Sequence, residues 1–346
     1  MVLPRRLGGR VRRRLPLYER PRRSHKTAGG VHVYLEVPNS PQPQSMALAK
    51  TRTGYIALVG RPNAGKSTLM NAMLGEKLSI VTAKAQTTWQ RVTGIATTAN
   101  VQMIFLDTPG LLEARDLFQK SMLGEALTAL READLVLLVL DAGRPLDAVA
   151  TTAMQEVLNL STAPLFVAVN KIDAVPHAAV QDGLRWAEDL GARAFAISAL
   201  SGTGLEKLKE ALGSSLPQGP FLYPADEIAS APVRFFVAEL VRETIFELYR
   251  QEIPYSVVCR VEEFREAQKP VYIAVGVFVE RESQKGILVG KAGASIRELG
   301  SVSRDKIEHF LGRSVYLDLW VKTLDGWRRK PADLTRLGFH VPDDMK

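Results

Sequence analysis

Cysteine is nearly absent: Cys259 is the single one in 346 residues. An intramolecular disulfide is excluded, as is a metal site built from clustered thiolates, and the chain reads as one made for a reducing compartment. Long apolar runs are also missing. The longest candidate, 135–140, suits a buried strand and falls far short of the roughly 18 residues a membrane-crossing helix needs. General basicity is missing from most of the chain, despite a net charge of +8. Residues 1–45 hold nine Arg and one Lys against Glu19 and Glu36, which accounts for all of it, and the remaining residues hold 35 basic and 35 acidic side chains. Any nucleic-acid contact in the folded part must therefore come from a local patch. Core-forming material is present in ordinary amount. A content of 46% hydrophobic and 24% charged residues fits a globular chain of about two domains.

Residues 1–50, rich in Arg, Pro and Gly, read as a basic, disordered extension. An Arg-rich, acid-poor start also fits an organellar targeting segment, or a tail that touches nucleic acid or lipid. A plain extension is the simpler reading, with Met46 a candidate start. From residue 55 apolar runs at 55–59, 101–106, 135–140, 165–169 and 193–197 alternate with helical stretches. That alternation predicts a mainly parallel sheet with helices on both faces. A further strand at 91–98 is expected to be antiparallel, because a short turn joins it to 101–106. This α/β domain is assigned to 51–218. Pro217, Gly219, Pro220 and Pro224 mark 219–230 as a linker. In 231–346 the order changes to helix 232–250, strands near 255–264 and 271–280, helical material at 286–312 and strand 314–322. The two halves are expected to have separate cores.

Four motifs stand at the ends of the predicted strands. Gly60-Arg61-Pro62-Asn63-Ala64-Gly65-Lys66-Ser67 fits G-x-x-x-x-G-K-[ST]. Glycines let the backbone wrap a phosphate, and the following helix N-terminus directs N–H groups and a positive dipole at it. Lys66 would reach the β- and γ-phosphates and the Ser67 hydroxyl would ligate Mg²⁺. Asp107-Thr108-Pro109-Gly110, followed by Leu111, places a carboxylate where it can hold Mg²⁺ through water and a glycine where it can sense the γ-phosphate. Asn170-Lys171-Ile172-Asp173 selects the base. The Asp173 carboxylate accepts from guanine N1 and the exocyclic amine, which adenine cannot match. Asn170 either bonds the base or ties its loop to the phosphate loop, and Lys171 can lay its stem along the ring. Ser198-Ala199 can supply a backbone N–H to guanine O6. Between the first two motifs, Thr88, with Thr87 the alternative, can close onto Mg²⁺ and the γ-phosphate. Isolated, the match at 107–110 reads better as a solvated turn and Ser198-Ala199 is weak, whereas the phosphate-loop match seldom arises by chance. In this order, each at a strand end, they imply a P-loop protein that binds and hydrolyses GTP.

These strings carry a family likeness. Residues 52–330 resemble the Era family of bacterial GTPases, through GRPNAGKSTLMNAMLG, KAQTT, DTPGLL, NKID and SAL. In the second half the likeness continues through APVRFFVAELVRETIFELYRQEIPYS and KGILVGKAGASIRELG. The latter half is the more diagnostic, because many GTPases share the former. Trp89 departs from the likeness, standing where the family usually has a basic residue, and 1–45 have no usual counterpart. Gly290-Lys291-Ala292-Gly293 looks like the G-x-x-G loop of a KH domain, of the type found in Era, which clamps about four single-stranded nucleotides. Arg328-Arg329-Lys330 reads equally as a source of phosphate contacts or as a solvated cluster.

The resemblance implies a monomeric ribosome-assembly GTPase in the cytoplasm, with a peripheral place on the inner membrane face left open. It would bind the 3′ end of 16S ribosomal RNA and assist small (30S) subunit biogenesis. It also implies Mg²⁺ and leaves K⁺ as a second cofactor, because Asn63 occupies the phosphate-loop position that helps bind a monovalent cation in related enzymes. Leu111 stands where Ras-like enzymes carry the Gln that orients water, so intrinsic hydrolysis should be slow. Competing readings are less well supported. A tRNA-modification GTPase would need a C-terminal catalytic cysteine, and Cys259 is misplaced. A double-GTPase factor would need a second phosphate loop. A GTP-dependent regulator at the membrane or of cell division would use the nucleotide for interaction alone.

Overall fold

Alternating apolar strands and helices close into one open sheet in the first half. The computed structural model describes residues 51–341 apart from 82, 83, 85, 86, 111–113, 115 and 147. The expected extension 1–50, Leu111 and residues 342–346 thus lie outside the described residues. The chain runs β1 (Arg52–Val59), α1 (Lys66–Leu74), β2 (Val92–Thr97), β3 (Val101–Asp107), α2 (Leu117–Glu132), β4 (Leu135–Asp141), α3 (Ala148–Leu158), β5 (Leu165–Asn170), α4 (His177–Asp189), β6 (Arg193–Ala196) and α5 (Leu205–Ser215). The sheet order is β2-β3-β1-β4-β5-β6. Only β2 is antiparallel, as its short turn to β3 dictates. Period-two alternation splits β1 between two cores. Ile56 and Leu58 face one layer with Leu69 of α1 and Leu208 of α5. Ala57 and Val59 face the other with Leu130 of α2 and Val180 of α4. Leu135–Leu140 of β4 are buried on both faces, which explains why that segment is apolar without alternation. All four motifs lie at or just beyond the carboxyl ends of β1, β3, β5 and β6, where open α/β sheets bind ligands.

The second half contains α6 (Val233–Leu248), α7 (Ile253–Ser256), β7 (Val258–Arg265), β8 (Val271–Val279), α8 (Glu282–Val289), α9 (Ala294–Leu311), β9 (Val315–Thr323) and α10 (Pro331–Arg336). Its sheet order is β7-β8-β9, with β7 antiparallel and β9 parallel to β8. This is the expected α+β KH arrangement of type II. Two details differ from the sequence reading. The strand anticipated near 255 starts later, because Pro254 sits in the first turn of α7 and Ile253, Pro254 and Ser256 are buried there. The helical stretch at 286–312 is two helices, parted at Gly290–Gly293.

The segment 219–230 is pinned rather than free. Gly219 N–H donates to Thr51 O at 3.0 Å, and Ile95 N–H to Ile228 O at 2.9 Å. The buried Gln102 side chain accepts from Leu222 and Tyr223 N–H at 2.8 and 3.0 Å and donates to Tyr223 O at 2.9 Å. The halves do not have wholly separate cores either. One apolar cluster joins Trp89, Phe118 and Met122 of the first half to Val258, Phe278, Trp327, Leu334, Leu337, Phe339 and Val341 of the second, and the described residues form one compact unit. Among the described residues, no helix is long and apolar enough to cross a membrane.

Candidate nucleotide and nucleic-acid sites

The loop between β1 and α1 curls around a cleft of about 290 Å³ lined by Asn63, Lys66, Ser67, Thr88, Gly110 and Lys171, among others. Gly65 takes a left-handed conformation, φ 97°, and a Cβ there would stand 2.3 Å from Asn170 Nδ2. Glycine is thus required by both backbone and neighbour. Asn63 is left-handed as well, at φ 64°. Lys66 is buried, and its ammonium donates to the carbonyl oxygens of Gly60 and Arg61 at 3.1 and 3.2 Å. Ala64 is buried, its N–H on Arg61 O at 3.2 Å. Burial pulls the Lys66 ammonium down to about 8, against the attraction of Asp107, and burial likewise pushes the Asp107 carboxyl up.

Three oxygens converge beside Lys66. Ser67 Oγ donates to Asp107 Oδ2 at 2.7 Å, Thr88 Oγ1 reaches the same oxygen at 3.2 Å, and the two hydroxyls are 2.9 Å apart. Asp107 Oδ1 is buried without a hydrogen-bond partner among the described residues. Two adjacent ligands of an octahedral ion with metal–oxygen distances of about 2.1 Å stand roughly 3 Å apart, the separation of the Ser67 and Thr88 hydroxyls. Hard oxygen donors at these separations, with an orphaned carboxylate oxygen, fit Mg²⁺. The structure places Thr88, rather than Thr87, in this group. Thr108 is buried and bonded to Leu58 O at 2.7 Å, and Pro109 beside it is buried. Gly110 abuts Pro62, with a would-be Cβ 2.7 Å from Pro62 Cγ.

The base-side residues divide. Asn170 Nδ2 donates to Ala64 O and its Oδ1 accepts from Ala199 N–H, both at 2.9 Å, so it ties three loops together. The N–H groups offered by sequence to guanine O6 are already engaged: Ala199 on Asn170, and Ser198 on Thr203 O at 2.9 Å. A base would have to share the Ala199 donor. Lys171 is left-handed, φ 67°, and ion-pairs with Asp141 Oδ2 at 2.7 Å. Sequence reasoning missed Asp141, whose only signal is an acid at the end of an apolar strand. Ile172 N–H bonds Ile197 O at 3.3 Å. Asp173 is exposed, and its carboxylate makes no hydrogen bond or ion pair among the described residues.

In the second half, α8 ends at Gly290, φ 71° and ψ 174°, where a Cβ would lie 2.2 Å from Ser295 Oγ. Lys291 and Ala292 are exposed at the tip of the turn, and Gly293 starts α9. Arg297 Nη1 braces the loop on Ala292 O at 2.8 Å. Ile287 beside it is 48% exposed, as suits an apolar groove floor. Arg328 is not available for phosphate. It ion-pairs with Asp116 at 2.8 Å and lies over the Phe118 ring at 4.9 Å.

Comparison with known proteins agrees with both halves. Residues 55–171 match the family described as 50S ribosome-binding GTPase, and 252–328 match the KH domain family. The GTPase Era of Carboxydothermus hydrogenoformans is 41% identical over 292 residues, covering 83% of this chain and 98% of that protein. The chain belongs to the Era family of GTPases. GTPase Era of Geobacter metallireducens is 39% identical over 295 residues, covering 83% and 98%. A crystal structure of Era with MgGDPNP and nucleotides 1506–1542 of 16S ribosomal RNA superimposes with a TM-score of 0.80 at 37% identity, covering 83% of this chain and 99% of that one. Aquifex aeolicus Era with GDP and aluminium fluoride gives 0.78 at 37% identity over 83% and 99%. As an Era-family GTPase the chain hydrolyses GTP.

Proposed function

We propose that this GTPase is a nucleotide-controlled switch that binds 16S ribosomal RNA through Gly290–Gly293 and assists small-subunit biogenesis. The observation that carries this reading is the joining of a phosphate cleft and a KH loop in one compact unit, with the topology of an Era that was crystallised on 16S RNA. The first-half family description names the 50S subunit, but that description covers only residues common to many GTPases. The RNA in the Era complex bears on the whole chain and is the better guide.

In the proposed site Lys66 and the loop N–H groups hold the β- and γ-phosphates. Ser67 and Thr88 would hold Mg²⁺ directly and Asp107 would hold it through water, and the ion would neutralise charge that grows on the phosphate oxygens. Asp173 reads guanine and Asn170 keeps its loop against Ala64. Asn63, left-handed at the cleft wall, supports a K⁺ site beside the phosphates, in the role an arginine finger has elsewhere. The protein acts as a cytoplasmic monomer in this reading. Sequencing the RNA crosslinked to the protein in cells tests the partner: fragments from the 3′ end of 16S RNA are expected, and their absence refutes it. Hydrolysis should be faster in K⁺ than in Na⁺ at equal ionic strength, and equal rates would remove the cation proposal.

A further inference from the structure

The two residues that flank Thr88 are held from the other half of the chain. Arg242, in the middle of α6, has a side chain only 2% exposed. Glu239, one turn earlier, orients it: Arg242 Nε donates to Oε1 at 2.8 Å and Nη2 to Oε2 at 2.6 Å. The guanidinium so fixed meets both neighbours of Thr88. Its Nη2 donates to the carbonyl oxygen of Thr87, and its carbon lies 4.7 Å from the centroid of the Trp89 ring. Trp89 is in turn packed against Phe118, with Trp327 and Phe339 of the second half behind it. Among the described residues, the Thr88 hydroxyl meets only Ser67 and Asp107, at 2.9 and 3.2 Å. Its place beside them is therefore set by its neighbours.

A threonine on an otherwise unanchored loop would lose backbone freedom each time it closed on its ligand. Anchors on both sides impose that order before the ligand arrives. Planarity matters here: one guanidinium donates in its plane to Glu239 and Thr87 and lays its face toward an indole, which an ammonium cannot do.

We propose that Arg242 is a positioning residue of the GTPase site, holding Thr87 and Trp89 so that the Thr88 hydroxyl stands ready beside Ser67 and Asp107. The first half alone therefore does not complete its own nucleotide site. This rests on the reading of Ser67, Thr88 and Asp107 as the Mg²⁺ and γ-phosphate site.

The readout is a ratio of affinities, for a non-hydrolysable GTP analogue and for GDP, titrated in Mg²⁺ on the full chain. Thr88→Ala serves as the reference. Arg242→Met paired with Glu239→Gln removes the anchor without leaving an unpaired charge. Loss of the anchor should weaken the analogue about tenfold and GDP less than about twofold, because GDP lacks the γ-phosphate that Thr88 closes on. Added to Thr88→Ala, the pair should cause no further loss of the ratio, since both changes remove one step. If the paired variant does not fold, Arg242→Lys decides by the same ratio, with a smaller fall expected. A ratio unchanged in the Arg242 variant but reduced in Thr88→Ala overturns the inference alone. A ratio unchanged in Thr88→Ala overturns the metal-site reading and the inference with it.

Discussion

Trp327→Ala should show that the two halves of the chain stabilise one another. Trp327 is fully buried, with Phe118 at 5.0 Å, Phe339 at 6.1 Å and Trp89 at 6.5 Å between ring centroids. Phe118 and Trp89 belong to the first half, so two of these three contacts cross between halves. Truncating a buried Trp costs about 3–5 kcal/mol, a large part of the roughly 5–15 kcal/mol that holds a typical protein folded. The share that couples the halves can be isolated with Phe118→Ala, since Phe118 and Trp327 meet edge to face at 71°. Such a pair contributes about 0.5–1.5 kcal/mol beyond its buried area, and the coupling energy should be about 1–2 kcal/mol. Trp327→Phe should cost far less than the alanine change. It removes an indole N–H that is buried without a partner among the described residues, which offsets about 1–3 kcal/mol of lost packing. Urea unfolding of the wild type, Trp327→Ala, Phe118→Ala and the double variant, read by far-UV circular dichroism, supplies the cycle, with Trp327→Phe measured beside them. The reasoning fails if the coupling lies within about 0.3 kcal/mol of zero, or if the wild type unfolds in two separate steps of which Trp327→Ala shifts only one.

Asp173→Asn should weaken GTP on the order of a hundredfold, as hydrogen bonds to a charged acceptor are lost, and should admit xanthosine triphosphate; unchanged GTP affinity would remove Asp173 from the base site. Lys66, held at about 8 by burial, regains its full charge when phosphate binds, so binding takes up protons and GTP affinity falls as pH rises through 8. Calorimetry near pH 8 in buffers of different ionisation enthalpy should show uptake of about half a proton, and no uptake would contradict the assignment. Gly290→Ala should destabilise the second half by about 1–3 kcal/mol and abolish RNA retention on filters, because a Cβ at φ 71° would meet Ser295 Oγ at 2.2 Å.

Backbone-bound features were the legible ones. The phosphate loop is written in glycines that only a tight turn requires, and the strand ends carrying Asp107 and Asn170 follow apolar runs too long for turns and too short for helices. The KH order was readable for the same reason. Long-range side-chain pairing was not. Trp89 is a lone aromatic in a polar stretch, and nothing near it in sequence names Phe339 or Arg242 as its partners. Arg242 reads as an ordinary polar position on a helix, and its role appears only when α6 packs against the Thr87 carbonyl. Arg328, which sequence left open between phosphate contacts and a solvated cluster, was not legible for a like reason: its partner Asp116 lies 212 positions away. The Ala199 N–H looked free because sequence shows that a donor exists and not that Asn170 Oδ1 already holds it.

The placement of α6 offers a route by which nucleotide and RNA would be coupled through one helix. Arg242 faces the residues around Thr88. Glu243, next along the chain and only 1% exposed, pairs with Lys77 of the first half at 2.9 Å and with Lys306 of α9 at 3.1 Å. Lys306 also holds Glu247 at 2.7 Å, and α9 begins directly at Gly293 of the RNA loop. If RNA binding displaces α9, the displacement reaches the helix that carries Arg242 through the buried Glu243 carboxylate, which Lys306 and Lys77 share. Linkage then fixes the sign relation: if RNA raises affinity for GTP over GDP, the GTP state binds RNA more tightly by the same factor. Replacing Lys306 should reduce that factor while each site still binds its own ligand, because Lys306 touches neither Ser67 and Asp107 nor the loop 290–293.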